Sequence, residues 1–253
     1  MRSSFDIHRF ATIDSTNTWV MDQARSGAPE GLVAVAAEQT AGRGRLGRKW
    51  IAPAGGSLLM SVLLRPISLP ADRLHLATAA VAMAGADALA LIAEVSPSLK
   101  WPNDLLLQDK KVAGVLTEVD GPAPKGSLAV VVGIGVNCTW PDELPPEIAD
   151  IAIAANHVAE RPVHTEDVLD ALLENLDARL ESGWDAIARE YASRVATVGR
   201  EVRVELADES FTGLAAEVEA DGALIVITDA GPRRVLAGDV IHLRSATGGC
   251  APS

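Results

Sequence analysis

Arg43, Arg45, Arg48 and Lys49 place four cations within seven positions, interleaved with Gly42, Gly44 and Gly47 and followed by Trp50. Glycines there let the backbone turn and approach a ligand where a Cβ would obstruct it. Guanidinium forks on such a loop suit anionic oxygen, phosphate above all. The glycines also satisfy G-x-G-x-x-G after an apolar run, but a dinucleotide site needs a helix opening at the third glycine. Trp50-Ile51-Ala52-Pro53 and then Gly55-Gly56 cannot form it. The Walker pattern fails because Arg48-Lys49 stand where Lys-Ser/Thr is required, and no H-R-D or D-F-G follows to suggest a protein kinase. A solvated charge run is the plain alternative.

Four further segments carry candidate chemistry. In Lys100-Trp101-Pro102-Asn103-Asp104, Pro102 restricts Trp101 to extended geometry and holds Asn103 and Asp104 at a strand end. An Asn amide offers the donor and acceptor that an adenine edge needs, and an Asp can hold magnesium or orient a cation; an ordinary turn has the same composition. Lys111 heads an apolar strand in which Ala113 and Gly114 leave room against the backbone. Gly133-Ile134-Gly135-Val136-Asn137 ends another strand on a polar amide. Ser15, Thr16 and Asn17, after Asp14, start a helix, where capping alone would account for them. The five histidines (8, 75, 157, 164 and 242) lack metal-ligand spacing, and no G-x-S-x-G elbow is present. Cys138 and Cys250, without a CxxC, encode neither a zinc ribbon nor a disulfide framework and read as free thiols in a reducing cytoplasm.

The chain that must position these residues has 253 residues, 48% hydrophobic and 22% charged, enough to bury a core without staples. Its 22 Lys+Arg against 34 Asp+Glu give a net charge of −12, which opposes a broad duplex-nucleic-acid or anionic-membrane surface. The first residues lack the apolar core of a signal peptide. The apolar stretch 76–95 carries Asp87 near its centre, so it reads as a buried Ala-rich helix, not a membrane span. Strands are expected at 31–39, 57–64, 99–101, 104–107, 111–119 and 128–136, with helices at 17–25, 72–92 and 168–180. From residue 200 onward, short alternating segments punctuated by Asp-Gly and Ala-Gly turns suggest a small β-barrel. The expected layout is a mixed α/β body over 1–195, a β domain over 196–247 and a tail over 248–253.

In this order and combination, the five segments resemble the biotin–protein ligase family over nearly the whole chain. The resemblance implies an α+β fold: a mixed sheet flanked by helices, as in class II synthetases, with an SH3-like C-terminal barrel. It implies an enzyme that joins biotin to ATP, giving biotinyl-5′-AMP and pyrophosphate with magnesium. Biotin then passes to a lysine on the biotin carboxyl carrier domain of a carboxylase. By the same resemblance Ser15, Thr16, Asn17 and Gln39 bind the ureido ring, with Arg43, Gly44, Arg45, Lys111 and Gly114 completing the biotin site. Arg43, Arg45, Trp50, Asn103, Lys111 and Asn137 bind the nucleotide. Lys111 bridges carboxylate and α-phosphate, Arg45 clamps the adenylate, and Asp104 acts near magnesium or the incoming amine.

Family members that also repress transcription carry a winged helix-turn-helix ahead of the catalytic domain. Here the Ser-Thr-Asn segment begins at residue 15, so no DNA-binding role is expected. A cytoplasmic monomer or weak homodimer with no membrane partner is the corresponding expectation. Two alternatives remain open: a lipoate–protein ligase on a similar fold, and a non-catalytic nucleotide- or RNA-binding module.

Overall fold

The computed structural model describes residues 5–66, 68–122, 128–236 and 238–243. The expected tail at 248–253 and Cys250 lie outside them.

Seven strands form the main sheet: β1 (Asp6–Ile13), β2 (Leu32–Gln39), β3 (Ser57–Leu64), β4 (Ser98–Lys100), β5 (Asp104–Leu107), β6 (Lys110–Pro122) and β7 (Leu128–Asn137). Their order is β1-β2-β3-β7-β6-β5-β4; β1 and β2 run parallel and every other pair antiparallel, which makes the sheet mixed. The side-chain alternation of a strand sorts the residues onto two faces. Val33, Val35, Leu58, Met60, Val62 and Leu64 meet α2 (His75–Ala93) and α4 (Thr165–Ser182) on one side. Leu32, Ala34 and Leu63 meet Val20, Met21 and Ala24 of α1 (Thr16–Arg25) on the other. Both faces are covered, so β3 is buried along its whole length.

Helix α2 with its preceding turn is long and apolar enough to cross a membrane, yet it lies in this core, buried on nearly every side. Gly85 brings it close to the sheet; a Cβ there would stand 2.8 Å from Ile134 Cδ1. Asp87 on α2 pairs with Arg179 of α4 and Arg194 of α5 (Trp184–Arg194), and Glu190 joins the same two arginines. The short helix α3 (Pro146–Ala149) lies in the connection after β7.

Every strand and helix expected from the sequence is present, with ends shifted by a few residues. Two substantial elements were not expected: β1, an edge strand whose exposed and half-buried residues show no clean alternation, and α5, which buries only Ile187 and Tyr191.

The C-terminal strands β8 (Glu201–Glu205), β9 (Ser210–Val218), β10 (Leu224–Thr228), β11 (Gly231–Val235) and β12 (Asp239–His242) form an antiparallel sheet of order β11-β10-β9-β8-β12. The expected barrel is therefore an open five-stranded sheet among the described residues, with β11 and β12 as its edges. It sits on the main body through Trp101: the backbone N–H donates to Thr197 Oγ1 (2.9 Å) and the indole N–H to the Gly222 carbonyl (2.9 Å). Gly222, at φ +87°, lets the ring of His75 approach to where a Cβ would be only 2.5 Å away.

Candidate active site

The floor of the site is a stretch of sheet built around three glycines. Gly114 and Leu116 of β6 pair with Gly135 and Gly133 of β7. A Cβ on Gly133 would lie 2.1 Å from Asn17 Oδ1, and one on Gly135 would lie 2.4 Å from the Trp50 indole. The glycines read as a strand-end motif thus clear a slot for an amide at one end and an aromatic ring at the other.

Ser15 occupies the N-cap position of α1 but its side chain makes no capping bond. Capping therefore does not account for the Ser-Thr-Asn run. All three are buried, and Thr16 and Asn17 join a hydrogen-bond network. Thr16 donates to Gln39 Oε1 from its N–H (2.8 Å) and its hydroxyl (3.1 Å). Ser61 Oγ donates to Asn17 Oδ1 (2.6 Å) and lies 2.7 Å from Thr16 Oγ1. Asn17 Nδ2 donates to Glu118 Oε2 (2.8 Å) and to the Leu116 carbonyl (3.2 Å).

The cationic loop closes over the other end. Trp50 N–H donates to Gly42 O (3.0 Å), Arg43 bridges Lys49, and Gly44 N–H donates to Arg48 O (2.7 Å), making a narrow hairpin. Its tip turns through Leu46, whose backbone is left-handed at φ 55° and whose side chain is exposed. Arg43 pairs with Glu118 (2.6 Å), Arg45 donates to Asn103 Oδ1 (3.1 Å), and Arg48 pairs with Asp239 of the C-terminal sheet. Beneath the loop, Lys111 Nζ lies 2.6 Å from Asp104 Oδ1 and 5.4 Å from the centroid of Trp50, with Lys100 Nζ 3.8 Å from Asp104 Oδ2.

Burial pulls the Arg45 guanidinium below its ordinary pKa, opposed by Asp104 and reinforced by Arg48. Burial does the same to Lys100, where Asp104 opposes it and Lys111 and Arg48 reinforce it. Crowded, half-desolvated cations of this kind are relieved by an incoming anion.

Two adjoining cavities result. The inner one is lined by Ser15, Thr16, Asn17, Gln39 and the glycine floor, the outer one by Gly44, Arg45, Arg48, Asn103, Asp104 and Lys111; Arg43, Trp50 and Gly114 line both. Of the residues that the resemblance assigns to the site, Asn137 alone lines neither. It is buried behind the site, where its amide donates to the carbonyls of Lys111 (3.3 Å) and Ile153 (3.0 Å). Asn103 spends its amide on Val115 O (2.7 Å) and its oxygen on Arg45. Trp50 lies against the glycine floor, its indole N–H unpartnered among the described residues. Burial raises the Cys138 thiol to about 11, an inert group under the sheet. Among the described residues no three His, Cys, Asp or Glu side chains converge as a metal cage.

Sequence reasoning missed Ser61, Glu118 and Asp239. Ser61 carried a signal: it is a polar residue inside an apolar strand, fully buried here. Glu118 carried a weaker one, lying at period two from Gly114 and Leu116 on the same face of β6.

The cleft has a hydrogen-bonding inner end and a cationic outer end, which suits a ligand with a polar head and an anionic tail. Residues 9–137 match the Biotin/lipoate A/B protein ligase family and residues 197–243 the Biotin protein ligase C terminal domain. The chain belongs to the biotin/lipoate A/B protein ligase family. It is 37% identical to the biotin–[acetyl-CoA-carboxylase] ligase of Mycobacterium tuberculosis, over 92% of this chain and 88% of that one. The corresponding enzyme of Paracoccus denitrificans is 33% identical, over 91% and 98%. The biotin protein ligase of Aquifex aeolicus, solved in complex with biotin and ATP, superposes with a TM-score of 0.77 at 31% identity, covering 95% of this chain and 99% of that one.

Proposed function

We propose that this chain is a biotin–[biotin carboxyl-carrier protein] ligase. It activates biotin with ATP and transfers it to one lysine of a carboxylase's carrier domain. In the first step a biotin carboxylate oxygen attacks the α-phosphorus and pyrophosphate leaves. In the second the acceptor amine attacks the acyl carbon, AMP leaves, and an amide and a proton result.

The observation that carries the reading is the polarity of the two ends. The inner end, with Ser15, Thr16, Asn17 and Gln39, matches the ureido ring, which has both an acceptor oxygen and N–H donors. A dithiolane head has neither, and a pocket whose polar groups go unpaired rejects such a ligand strongly. This favours biotin over lipoate. At the outer end Arg43, Arg45 and Lys111 meet the carboxylate and α-phosphate where charge accumulates. Closure of the loop shields the hydrolysable anhydride from water. A binding module without chemistry would give no use to an ammonium group held beside a half-buried carboxylate.

Magnesium enters as MgATP, held mainly by phosphate oxygens as this ion usually is. Asp104 then acts first as the anchor of Lys111 and Lys100. Asn137 and Asn103 act on the nucleotide through Lys111 and Arg45, which they hold, and Trp50 supplies a stacking face. We assign the enzyme to the cytoplasm, as a monomer or weak homodimer with the carrier domain as partner and without DNA or membrane partners. Incubation with biotin, MgATP and a carrier domain tests the assignment: the carrier gains one biotin per domain, and pyrophosphate is released with biotin but not with lipoate. An unlabelled carrier overturns it.

A further inference from the structure

We infer that Glu118 is a positioning residue for this reaction: one carboxylate orients the polar pocket through Asn17 and parks the cationic loop through Arg43. The inference rests on the site reading above and adds to it a residue that lines neither cavity.

Glu118 Oε2 accepts from Asn17 Nδ2 at 2.8 Å and from Arg43 Nη2 at 2.6 Å. A carboxylate can only accept, so it fixes which end of the Asn17 amide faces β6. With its nitrogen committed to Glu118 and Leu116 O, Asn17 turns its oxygen to the Ser61 hydroxyl. Ser61 in turn sits 2.7 Å from Thr16 Oγ1, and Thr16 saturates Gln39 Oε1, so the Gln39 amide nitrogen takes no part in the network and is left for a ligand acceptor. The orientation of the Asn17 amide, and with it that of the Ser61 hydroxyl, is therefore set from Glu118, while Gln39 takes its own from the Thr16 backbone N–H. On its other side, the same oxygen holds Arg43 at the point where the loop hairpin begins, with Arg43 bridging Lys49. The pair is half-exposed, Arg43 at 43% and Glu118 at 30%, so solvent screens part of its attraction.

Two substitutions separate the two roles. Glu118→Gln keeps an oxygen acceptor for Asn17 and removes the charge facing Arg43. Glu118→Ala removes both. With full-length enzyme, biotin KM and kcat are measured in steady state, and release of preformed biotinyl-AMP is measured by chase. Glu118→Gln is expected to keep biotin KM near the wild-type value while releasing biotinyl-AMP about threefold faster, the scale of a half-exposed ion pair. Glu118→Ala is expected to show the same faster release and, in addition, a biotin KM raised about tenfold. The inference is overturned if Glu118→Ala matches wild type in both quantities, if the two variants are indistinguishable, or if KM, kcat and Tm fall away together. Failure of the wild-type enzyme to label a carrier would instead overturn the underlying assignment, so the two failures are distinct.

Discussion

Lys111 is held by independent contacts. Asp104 Oδ1 grips its ammonium at 2.6 Å, and the Trp50 ring lies 5.4 Å away. Its backbone is clamped by Ile151 O (2.8 Å) and by the N–H of Ile153 (3.0 Å), with the Asn137 amide on the same carbonyl. A lysine fixed this firmly loses little entropy on meeting a transition state. Lys111→Ala is expected to lower pyrophosphate release at least about 10²-fold, as removal of a charge-stabilising donor does. The fold should survive, because Lys100 remains beside Asp104 at 3.8 Å. A pyrophosphate burst within tenfold of wild type, or a collapsed Tm, would contradict the role. Residue types carried this much of the site: arginines among glycines, and a lysine opening an apolar strand, are visible in one dimension. Glu118 and Ser61 left only a faint trace in the sequence, a polar residue in an apolar strand and a period-two position, because their meaning lies in Asn17, a neighbour only after β6, β3 and α1 assemble.

Helices α2, α4 and α5 are tied by four charges, and Asp87 shows why an acidic residue persists in an otherwise apolar helix. Its carboxylate meets Arg179, whose side chain is 10% exposed, and Arg194; Glu190 completes the square. Both arginines hold Asp87 below the usual carboxylate range against the opposing pull of burial. Removing one partner of such a group leaves a poorly solvated cation. Asp87→Asn is therefore expected to cost about 2 kcal/mol, less than a fully buried pair because Asp87 keeps some water. Chemical denaturation should report it as a lower midpoint with unchanged slope; a change below about 0.5 kcal/mol would contradict it. The same region marks where elements could be read and where they could not. Helix α4 repeats buried residues over five turns and stands out, whereas α5 buries two side chains and is held by these ion pairs. Strand β1 escaped similarly: one neighbour and few buried positions leave no period-two signature. The short C-terminal strands were legible from their turns, but the open edge between β11 and β12 depends on pairing that alternation cannot specify.

At the scale of the whole molecule, the C-terminal sheet and the main body share a small polar junction. His242 Nε2 lies 3.0 Å from Thr197 Oγ1, which accepts the Trp101 N–H at 2.9 Å, and Trp101 opens the segment carrying Asn103 and Asp104. Arg48 reaches across to Asp239 on the same terminal strand, so the junction also bears on the cationic loop. Burial lowers the His242 pKa from 6.5 to about 4, with Arg200 and Lys100 adding repulsion that Asp109 only partly offsets. Between those two values the unfolded chain takes up a proton that the folded chain refuses. Stability is therefore complete above the unfolded value and falls as pH drops through this window. Carboxylates such as Asp87, lowered from 3.8, lose their contribution only further into acid, which leaves the upper part of the window to histidine. His242→Asn removes its own share of the titration while keeping a polar group beside Thr197; His75, packed on Gly222 and also lowered by burial, keeps its share in both proteins. Its Tm is expected to fall less than wild type between pH 6.5 and 4.5, by about 2–4 °C once solvent contact of the ring is allowed for. Parallel Tm profiles for the two proteins would show that the junction takes up its proton as readily folded as unfolded. The tie between the small sheet and the Trp101 segment would then not depend on a neutral ring.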